Sequence, residues 1–595
     1  MLSRIIKRVA IQKIRTVFSS AIAILKYFKA HPESLPGYVS YAWKLGLTQT
    51  LRRAGEFVRR GGPRGEIIAA TNALSYLRSE SAKPVTILTT PHCLYVAQSI
   101  SLALSRIGID STVIHDCPRN GYGNNPYFVI CPQMFKQLPP RYISLQMEQA
   151  VSSRWFTEHY LRILKNSVAV IDYSIANISF LTLKGISPNQ LFYIPIDYIP
   201  DYAQVLDHTV EDYDVIFYGD VKNTRRQKYL ETLGKHFSVK IINDLFGKPL
   251  YEFLARARIV VNIHYYPGAL LETTRIWECL SLHKLVVSEY PSDIEQHADL
   301  LQLVDFVDVG DVSGMVERVR YWLENDNLRR EYIAENRRIL QRRLNQFDYF
   351  FYRFLLATDN ITFEEFWDQA GNKVELTSDT ICLSLPEYVE RASEFNKDNR
   401  FGFSCFPGLR HSQSWIGCAM SYKFLSMLAH KHNLSKITIC EDDVDFLPGF
   451  AEKWQEILDH LNDPEVDWDI FSGLLADLDK DVHIHEAHQY KGQQFATIDR
   501  LISMVFNVYS QRVFELISKW DGTNRDVTTN TIDRYIEKQR TLKILTVDPF
   551  LVGHKESQQS TLWGIKNAEY AKLILASNRL LSRKIRSYEV NTSSV

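Results

Sequence analysis

Short apolar runs recur along most of the chain, each closed by a turn signal and followed by a longer stretch with helical spacing. The first series is Val85–Thr89, Ser111–His115, Tyr127–Ile130, Tyr142–Gln146, Val168–Asp172 and Leu191–Ile194, with helical stretches such as Leu94–Ile107 between. That alternation predicts a parallel, doubly wound sheet over residues 83–200. Pro195, Pro200 and the acidic run Asp207–Asp214 read as a linker. A second series, Val215–Tyr218, Ser238–Ile242, Ile259–Ile263 and Leu285–Val287, predicts another Rossmann-like half over residues 212–358. It closes with the charged helix Arg318–Arg343, read as a solvated face, and the aromatic stretch Phe347–Phe354, read as a packed terminal helix rather than a platform for sugar rings. Asp359–Asp379 is polar enough for a linker. Over residues 378–568 the strands Ile437–Cys440, Trp468–Leu474 and Leu501–Asn507 alternate with helices, so a third α/β domain is expected.

The two ends differ from this middle. Within residues 1–62, Arg4, Lys7, Arg8, Lys13, Arg15, Lys26 and Lys29 sit among Ile, Val, Phe and Leu, and no acid precedes Ala30. The apolar stretch Val17–Leu25 is far shorter than the ~20 residues that span a bilayer. No small-residue cleavage site follows it. The segment reads as an amphipathic helix on an anionic cytoplasmic membrane face, or as a basic helix packed on the rest of the chain. The tail, residues 569–595, is again basic and apolar, with Lys572, Arg579, Arg583, Lys584 and Arg586.

Composition narrows the class. A chain of 595 residues is too long for one core. Its 69 basic and 69 acidic residues give a formal net charge of +0, which offers nothing to draw nucleic acid as a partner. Eight scattered cysteines with no C-x-x-C pair read as buried thiols in a reducing compartment, hence a cytoplasmic protein, and the basic ends, on the membrane-surface reading, place it peripherally on the inner face of the plasma membrane.

The densest chemistry lies at Ile437-Thr-Ile-Cys-Glu-Asp-Asp-Val-Asp-Phe446, where a strand runs into three consecutive acids. A buried strand has no use for three carboxylates, each of which must be desolvated or paired. At an exposed strand end, alternation would put Glu441 and Asp443 on one side, ready for a hard cation, and Asp442 on the other. A solvated loop or an acidic helix cap is the plainer alternative. Upstream, Gly417-Cys-Ala-Met-Ser421 opens a helix at which a glycine permits close approach of backbone to a ligand. Gly417, Cys418, Ser421 and the Glu441-Asp442-Asp443 triplet, in that order, resemble the lipopolysaccharide-type family 25 glycosyltransferases, with Tyr422 standing where that family commonly has His. The resemblance implies a GT-A-like domain, with Mn2+ or Mg2+ on Glu441 and Asp443, Asp442 on the nucleotide, and Gly417 and Ser421 at the donor. His554, after the last apolar strand, is a further metal candidate, and Asp533 is the candidate base for the acceptor hydroxyl. A solvated histidine and an exposed helix acid are the respective alternatives.

In the second Rossmann-like half, Tyr265-Tyr-Pro-Gly-Ala-Leu-Leu-Glu-Thr-Thr-Arg-Ile-Trp-Glu278 resembles the Arg-x-x-Glu helix of GT-B glycosyltransferases. The resemblance implies Arg275 on a donor diphosphate and Glu278 on donor ribose, with no metal needed in this module; an i,i+3 surface pair of the two is the plainer alternative. Glu272 and Glu278 are six apart rather than the family's seven, so they point about 120 degrees apart on a helix. Gly219, with Arg225 and Arg226 at a strand-to-helix turn, is a second phosphate candidate, against a plain Asp220 or Asn223 cap. The chain is therefore expected to be α/β, a GT-B-like pair followed by a GT-A-like domain. The function expected is a bifunctional enzyme taking nucleotide-sugar donors to a lipopolysaccharide or capsule glycan, free or lipid-linked. The alternatives are one active module beside a glycan-binding one, or a non-enzymatic glycan-binding scaffold.

Overall fold

The structure, a computed structural model, describes residues 66–74, 84–125, 127–151, 154–205, 210–562 and 566–592. The basic segment 1–62 lies outside the described residues. Among the described residues no helix is long and apolar enough to cross a membrane. The chain divides into two compact units, with the boundary at Lys373/Val374.

The unit Ala69–Lys373 holds two parallel sheets. The first comprises β1 (Val85–Leu88), β2 (Ser111–Ile114), β3 (Tyr127–Ile130), β4 (Tyr142–Gln146), β5 (Ala169–Asp172) and β6 (Leu191–Tyr193), in the order β2-β1-β3-β4-β5-β6. β3, β4 and β5 are buried along their whole length, which explains why they read as mainly apolar runs without in-and-out alternation. The second comprises β7 (Tyr213–Tyr218), β8 (Val239–Ile242), β9 (Ala257–Asn262), β10 (Leu285–Glu289) and β11 (Asp305–Val307), in the order β11-β10-β9-β7-β8. Its core joins Val215, Phe217, Ile259, Val261, Leu285 and Val287 to Leu233 and Trp322 of the covering helices.

After the second sheet the chain returns to the first. The Gln346–Ala357 helix packs Phe351 on Phe128 and Phe354 on Phe192, at ring-centroid distances of 6.1 and 4.7 Å. The Tyr352 hydroxyl donates to the Ala103 carbonyl (2.9 Å). These aromatics are core, as expected. The expected charged helix 318–343 is two helices, Val312–Glu324 and Asp326–Arg342, parted at Asn325. Arg329 is not on a solvated face: it is 1% exposed and pairs with Glu211 and Asp326. The expected linker carries the Phe363–Gln369 helix, closed by a reciprocal Thr362/Glu365 capping box.

The unit from Val374 onward is built on a mixed sheet. Its strands are β12 (Thr380–Ser384), β13 (Ser404–Pro407), β14 (Lys436–Glu441), β15 (Val444–Phe446), β16 (Ile470–Ser472), β17 (Ile484–Tyr490), β18 (Gln493–Ile498), β19 (Phe506–Ser510), β20 (Ile544–Asp548) and β21 (Val552–His554). Eight of them run in the order β13-β12-β14-β19-β16-β20-β18-β17, while β15 and β21 form a separate antiparallel pair. The strand expected over Leu501–Asn507 is displaced to β19, and residues 501–505 are buried without joining the ladder.

Candidate functional sites

In the first module β7 lies between β8 and β9, so the connections leave it in opposite directions. The topological switch point of this sheet therefore falls at the C-terminal ends of β7 and β9, the usual ligand position of a doubly wound sheet. Gly219 follows β7 with φ +131, and a Cβ there would lie 2.7 Å from Arg275 Nη2. Arg275 reaches this point from the Thr273–Ser281 helix. Its Nη1 donates to Asn262 Oδ1 at the end of β9 (2.6 Å), and its guanidinium lies 5.2 Å from the Tyr218 ring centroid. Its Nε is buried without a hydrogen-bond partner. A planar guanidinium is shaped to fork onto phosphate oxygens.

Arg225 is not available in that way, contrary to expectation. It forks onto the buried Glu289, through Nη1 (2.6 Å) and Nη2, and also donates to the His264 carbonyl (2.9 Å). Glu289 also accepts from Tyr229 Oη (2.6 Å) and from the His264 and Gly310 amides (2.9 Å each). The amides at the start of the Thr224–Gly234 helix are also taken, because Asn223 Oδ1 caps those of Arg225 and Arg226. Arg226 is 4% exposed, and burial together with Arg275's charge pushes its guanidinium down to about 10.

The two glutamates also differ from the expectation. Glu278 is buried, with Tyr218 Oη donating to one carboxylate oxygen (2.9 Å) and Tyr251 Oη to the other (3.1 Å). Tyr251 continues to Tyr202, and Tyr202 to Gln98 of the first half, so Glu278 braces the seam between the halves rather than facing open space for a ribose. Burial pushes its carboxyl up to about 7. Glu272, at the start of the helix, faces the switch-point cluster instead. It lies 2.6 Å from His264 Nδ1, accepts from Asn262 Nδ2 (3.1 Å) and lies 3.6 Å from Arg226 Nη2. Burial alone would raise its carboxyl, but His264, Arg275 and Arg226 together hold it well below the usual carboxylate range.

In the second unit β14 ends at Glu441, so the alternation expected to put Glu441 and Asp443 on one side stops there. Asp442 and Asp443 both turn to Arg391. Arg391 donates from Nε (2.9 Å) and Nη2 to Asp442 Oδ1, and its Nη2 lies 3.1 Å from Asp443 Oδ2. Ser384 Oγ holds the other Asp442 oxygen (2.7 Å), so Asp442 is a bound, positioning acid. Glu441 lies beside Cys418 Sγ (4.0 Å), and burial with Asp443's charge pushes its carboxyl up to about 8.

His554 comes to the acids because β15 pairs with β21 in the register Val444↔His554. Its Nε2 lies 3.1 Å from Asp443 Oδ2. Asn567, which the sequence reading missed, places Nδ2 3.0 Å from the same oxygen and 2.9 Å from His554 Nε2. Asp443 Oδ1 and Asn567 Oδ1 are both buried without a partner. That donor chemistry, carboxylate and amide oxygens beside an imidazole, fits Mn2+ or Mg2+. Glu441 does not complete it: among the described residues its oxygens do not meet Asp443 and His554 as one ligand set within 4.8 Å. Burial alone would raise the Asp443 carboxyl, but His554, Arg391 and Asn567 hold it well below the usual range. Asp533, in the first turn of the Ile532–Glu537 helix, accepts from Thr531 Oγ1 (2.6 Å) and from the Arg534 amide (2.8 Å), and its charge contributes to raising Glu441.

Gly417 and Ser421 serve the protein's own backbone rather than a ligand. A Cβ on Gly417 would lie 2.9 Å from the His411 amide nitrogen and 3.0 Å from the Arg410 carbonyl carbon. Ser421 Oγ accepts from the Leu409 amide (2.8 Å) and donates to the Gly417 carbonyl (2.7 Å), pinning the loop before the Ser414–Lys431 helix. Tyr422 is core, its hydroxyl donating to the Met504 carbonyl (2.9 Å).

Two parallel Rossmann-like sheets with a fork-bearing cation at the switch point, followed by a mixed sheet whose strand runs into clustered acids, have the build of a glycosyltransferase, and comparison with known proteins assigns the chain to that class of enzyme. Residues 204–349 match the family described as glycosyl transferase-like, and residues 390–548 match glycosyltransferase family 25, LPS biosynthesis protein. The chain thus carries a GT-B-like module and a family 25 glycosyltransferase domain. Comparison with curated proteins gives no match. Among solved structures, the chain is similar to sucrose-phosphate synthase from Thermosynechococcus elongatus (13% identity, 44% of this chain, 94% of that one, TM-score 0.31). It is likewise similar to T4 phage β-glucosyltransferase (13%, 44% and 94%, TM-score 0.30) and to Anabaena HepE in complex with UDP-glucose (11%, 42% and 93%, TM-score 0.30).

Proposed function

We propose that the protein transfers sugars at two sites, from nucleotide-sugar donors onto a bacterial lipopolysaccharide or capsule glycan, free or lipid-linked. In the first module the donor diphosphate lies against Arg275 above Gly219, and no metal takes part. In the second, Asp443, His554 and Asn567 hold Mn2+ or Mg2+, which when bound supplies Lewis-acid neutralisation of the leaving nucleotide. Asp442, clamped by Ser384 and Arg391, positions Asp443, and Asp533 takes the proton of the acceptor hydroxyl. Two sites on one chain raise the effective concentration of one product at the next site. The protein works in the cytoplasm on the inner face of the plasma membrane, with its basic end segments on anionic lipid.

The observation that carries this reading is unused bonding capacity at both strand edges: Arg275 Nε in one unit, Asp443 Oδ1 in the other. The test is nucleotide-sugar hydrolysis and transfer, with and without EDTA. Arg275→Ala is expected to remove the EDTA-resistant reaction alone, and Asp443→Asn the EDTA-sensitive one alone. Loss of both reactions in either variant refutes the two-site division. A second reading, one catalytic module beside a glycan-binding one, draws on Arg391, which already neutralises the acids a metal would need. It predicts turnover in only one EDTA condition.

A further inference from the structure

The C-terminal edge of the first sheet gathers two thiols and an imidazole. β1 and β3 are neighbours, so the turns that follow them meet. After β1, Pro91 opens the single turn Pro91–Cys93. After β3, Cys131 takes a left-handed conformation (φ 55, ψ 58) before the turn Pro132–Met134. Such backbone is unfavourable for a residue other than glycine, and it persists where the surroundings fix it. Cys131 Sγ lies 3.5 Å from Cys93 Sγ and 3.9 Å from His92 Nε2. All three ligand atoms fall within 4.8 Å of one another. Both cysteines are buried and His92 is exposed, so the cluster is reached from the solvent side.

We propose that His92, Cys93 and Cys131 bind a soft divalent cation of the zinc class, with the fourth position left to water. Tetrahedral zinc, with its usual ligand bond lengths, sets two sulfurs about 3.8 Å apart and a sulfur and a nitrogen about 3.6 Å apart. The observed 3.5 and 3.9 Å each fall close to those spacings, so binding needs only small side-chain shifts. Thiolate ligands select zinc over magnesium and manganese, so this site differs in kind from the oxygen-rich cluster of the second unit. Three protein ligands with an open fourth position describe a site that can hold an exchangeable group, in contrast to a closed structural one.

The test is a Co2+ titration of the reduced, metal-free full-length chain. One equivalent is expected to bind with a thiolate-to-cobalt charge-transfer band, and Zn2+ is expected to bleach that band. Cobalt on the oxygen ligands of the second unit gives no such band. The double variant Cys93→Ser/Cys131→Ser is expected to lose it. His92→Ala, at an exposed position with unchanged circular dichroism, is expected to keep a weaker band and to bind at least about tenfold less tightly. A band that survives the double variant, unchanged affinity in His92→Ala, no band in the wild type, or a Cys93–Cys131 disulfide formed in place of metal binding would each overturn the proposal.

Discussion

Glu278 is the sharpest place to perturb the seam of the first module. It is 8% exposed and holds Tyr218 and Tyr251, the second of which leads through Tyr202 to Gln98. Burial raises its carboxyl from 4.5 to about 7, although the tyrosine hydroxyls and Arg275 pull the other way. The folded state therefore holds a proton that the unfolded chain releases, and stability falls as pH rises from about 4.5 through about 7. That gap is worth about 3.4 kcal/mol at most. In Glu278→Gln the neutral amide stands in for the protonated acid, so the variant should lie within about 1 kcal/mol of wild type at pH 5. At pH 8 it should be the more stable protein by about 2–3 kcal/mol. Asp172 and Asp197, raised by burial to about 7 and about 6, load the wild type in the same direction but cancel in the difference. Calorimetric unfolding of the full chain between pH 5 and 8, following the transition that the substitution shifts, measures it. A wild-type-to-variant difference independent of pH, or a wild type that gains on the variant as pH rises, refutes the reasoning.

Three further outcomes follow from close contacts. Gly219→Ala puts a side chain at φ +131 and 2.7 Å from Arg275 Nη2, so the donor KM of the EDTA-resistant reaction should rise about tenfold or more while the EDTA-sensitive reaction is unchanged; equal losses would count against the assignment. Gly417→Ala drives a Cβ into the backbone of Arg410 and His411, which cannot yield as a side chain can, and should destabilise the second unit by about 1–3 kcal/mol; an unshifted thermal transition would contradict it. Asn567→Ala removes a donor to Asp443 and a partnerless oxygen beside it, so Mn2+ affinity measured by titration calorimetry should fall about 10–100-fold; unaltered affinity would separate Asn567 from the cation.

The inner strands of the parallel sheets were legible because they are buried on both faces, and mainly apolar runs mark such strands directly. The expected limits of β3 and β4 coincide with those observed. The mixed sheet was less legible for the converse reason. β17, Ile484-His-Glu-Ala-His-Gln-Tyr490, is a half-exposed edge strand whose polar residues give no apolar signal, and its hairpin with β18 went unseen. The Phe363–Gln369 helix did carry a readable sign, Thr362 followed three residues later by Glu365, inside a stretch whose polarity suggested only a linker.

Site residues were legible as residue types and much less so as partners. The acidic triplet stands out from its run of neighbours, but Arg391 lies 51 residues before Asp442 and Asn567 lies 124 after Asp443. Only the fold brings those counter-groups in, and they decide which acid is bound and which keeps an oxygen free. The same holds for the two arginines of the first module. Glu289, at the end of β10, accepts the whole fork of Arg225, whereas Glu272 is already claimed by His264, Asn262 and Arg226. Arg275 is left with an amide oxygen, two aromatic faces and a glycine whose missing side chain gives its Nη2 room. Its charge still reaches the carboxylates of Glu272 and Glu278, which it helps to hold down, and the geometry that sets Arg275 beside Gly219 comes from residues 13 and 57 positions away in the chain, as with the acids of the second unit.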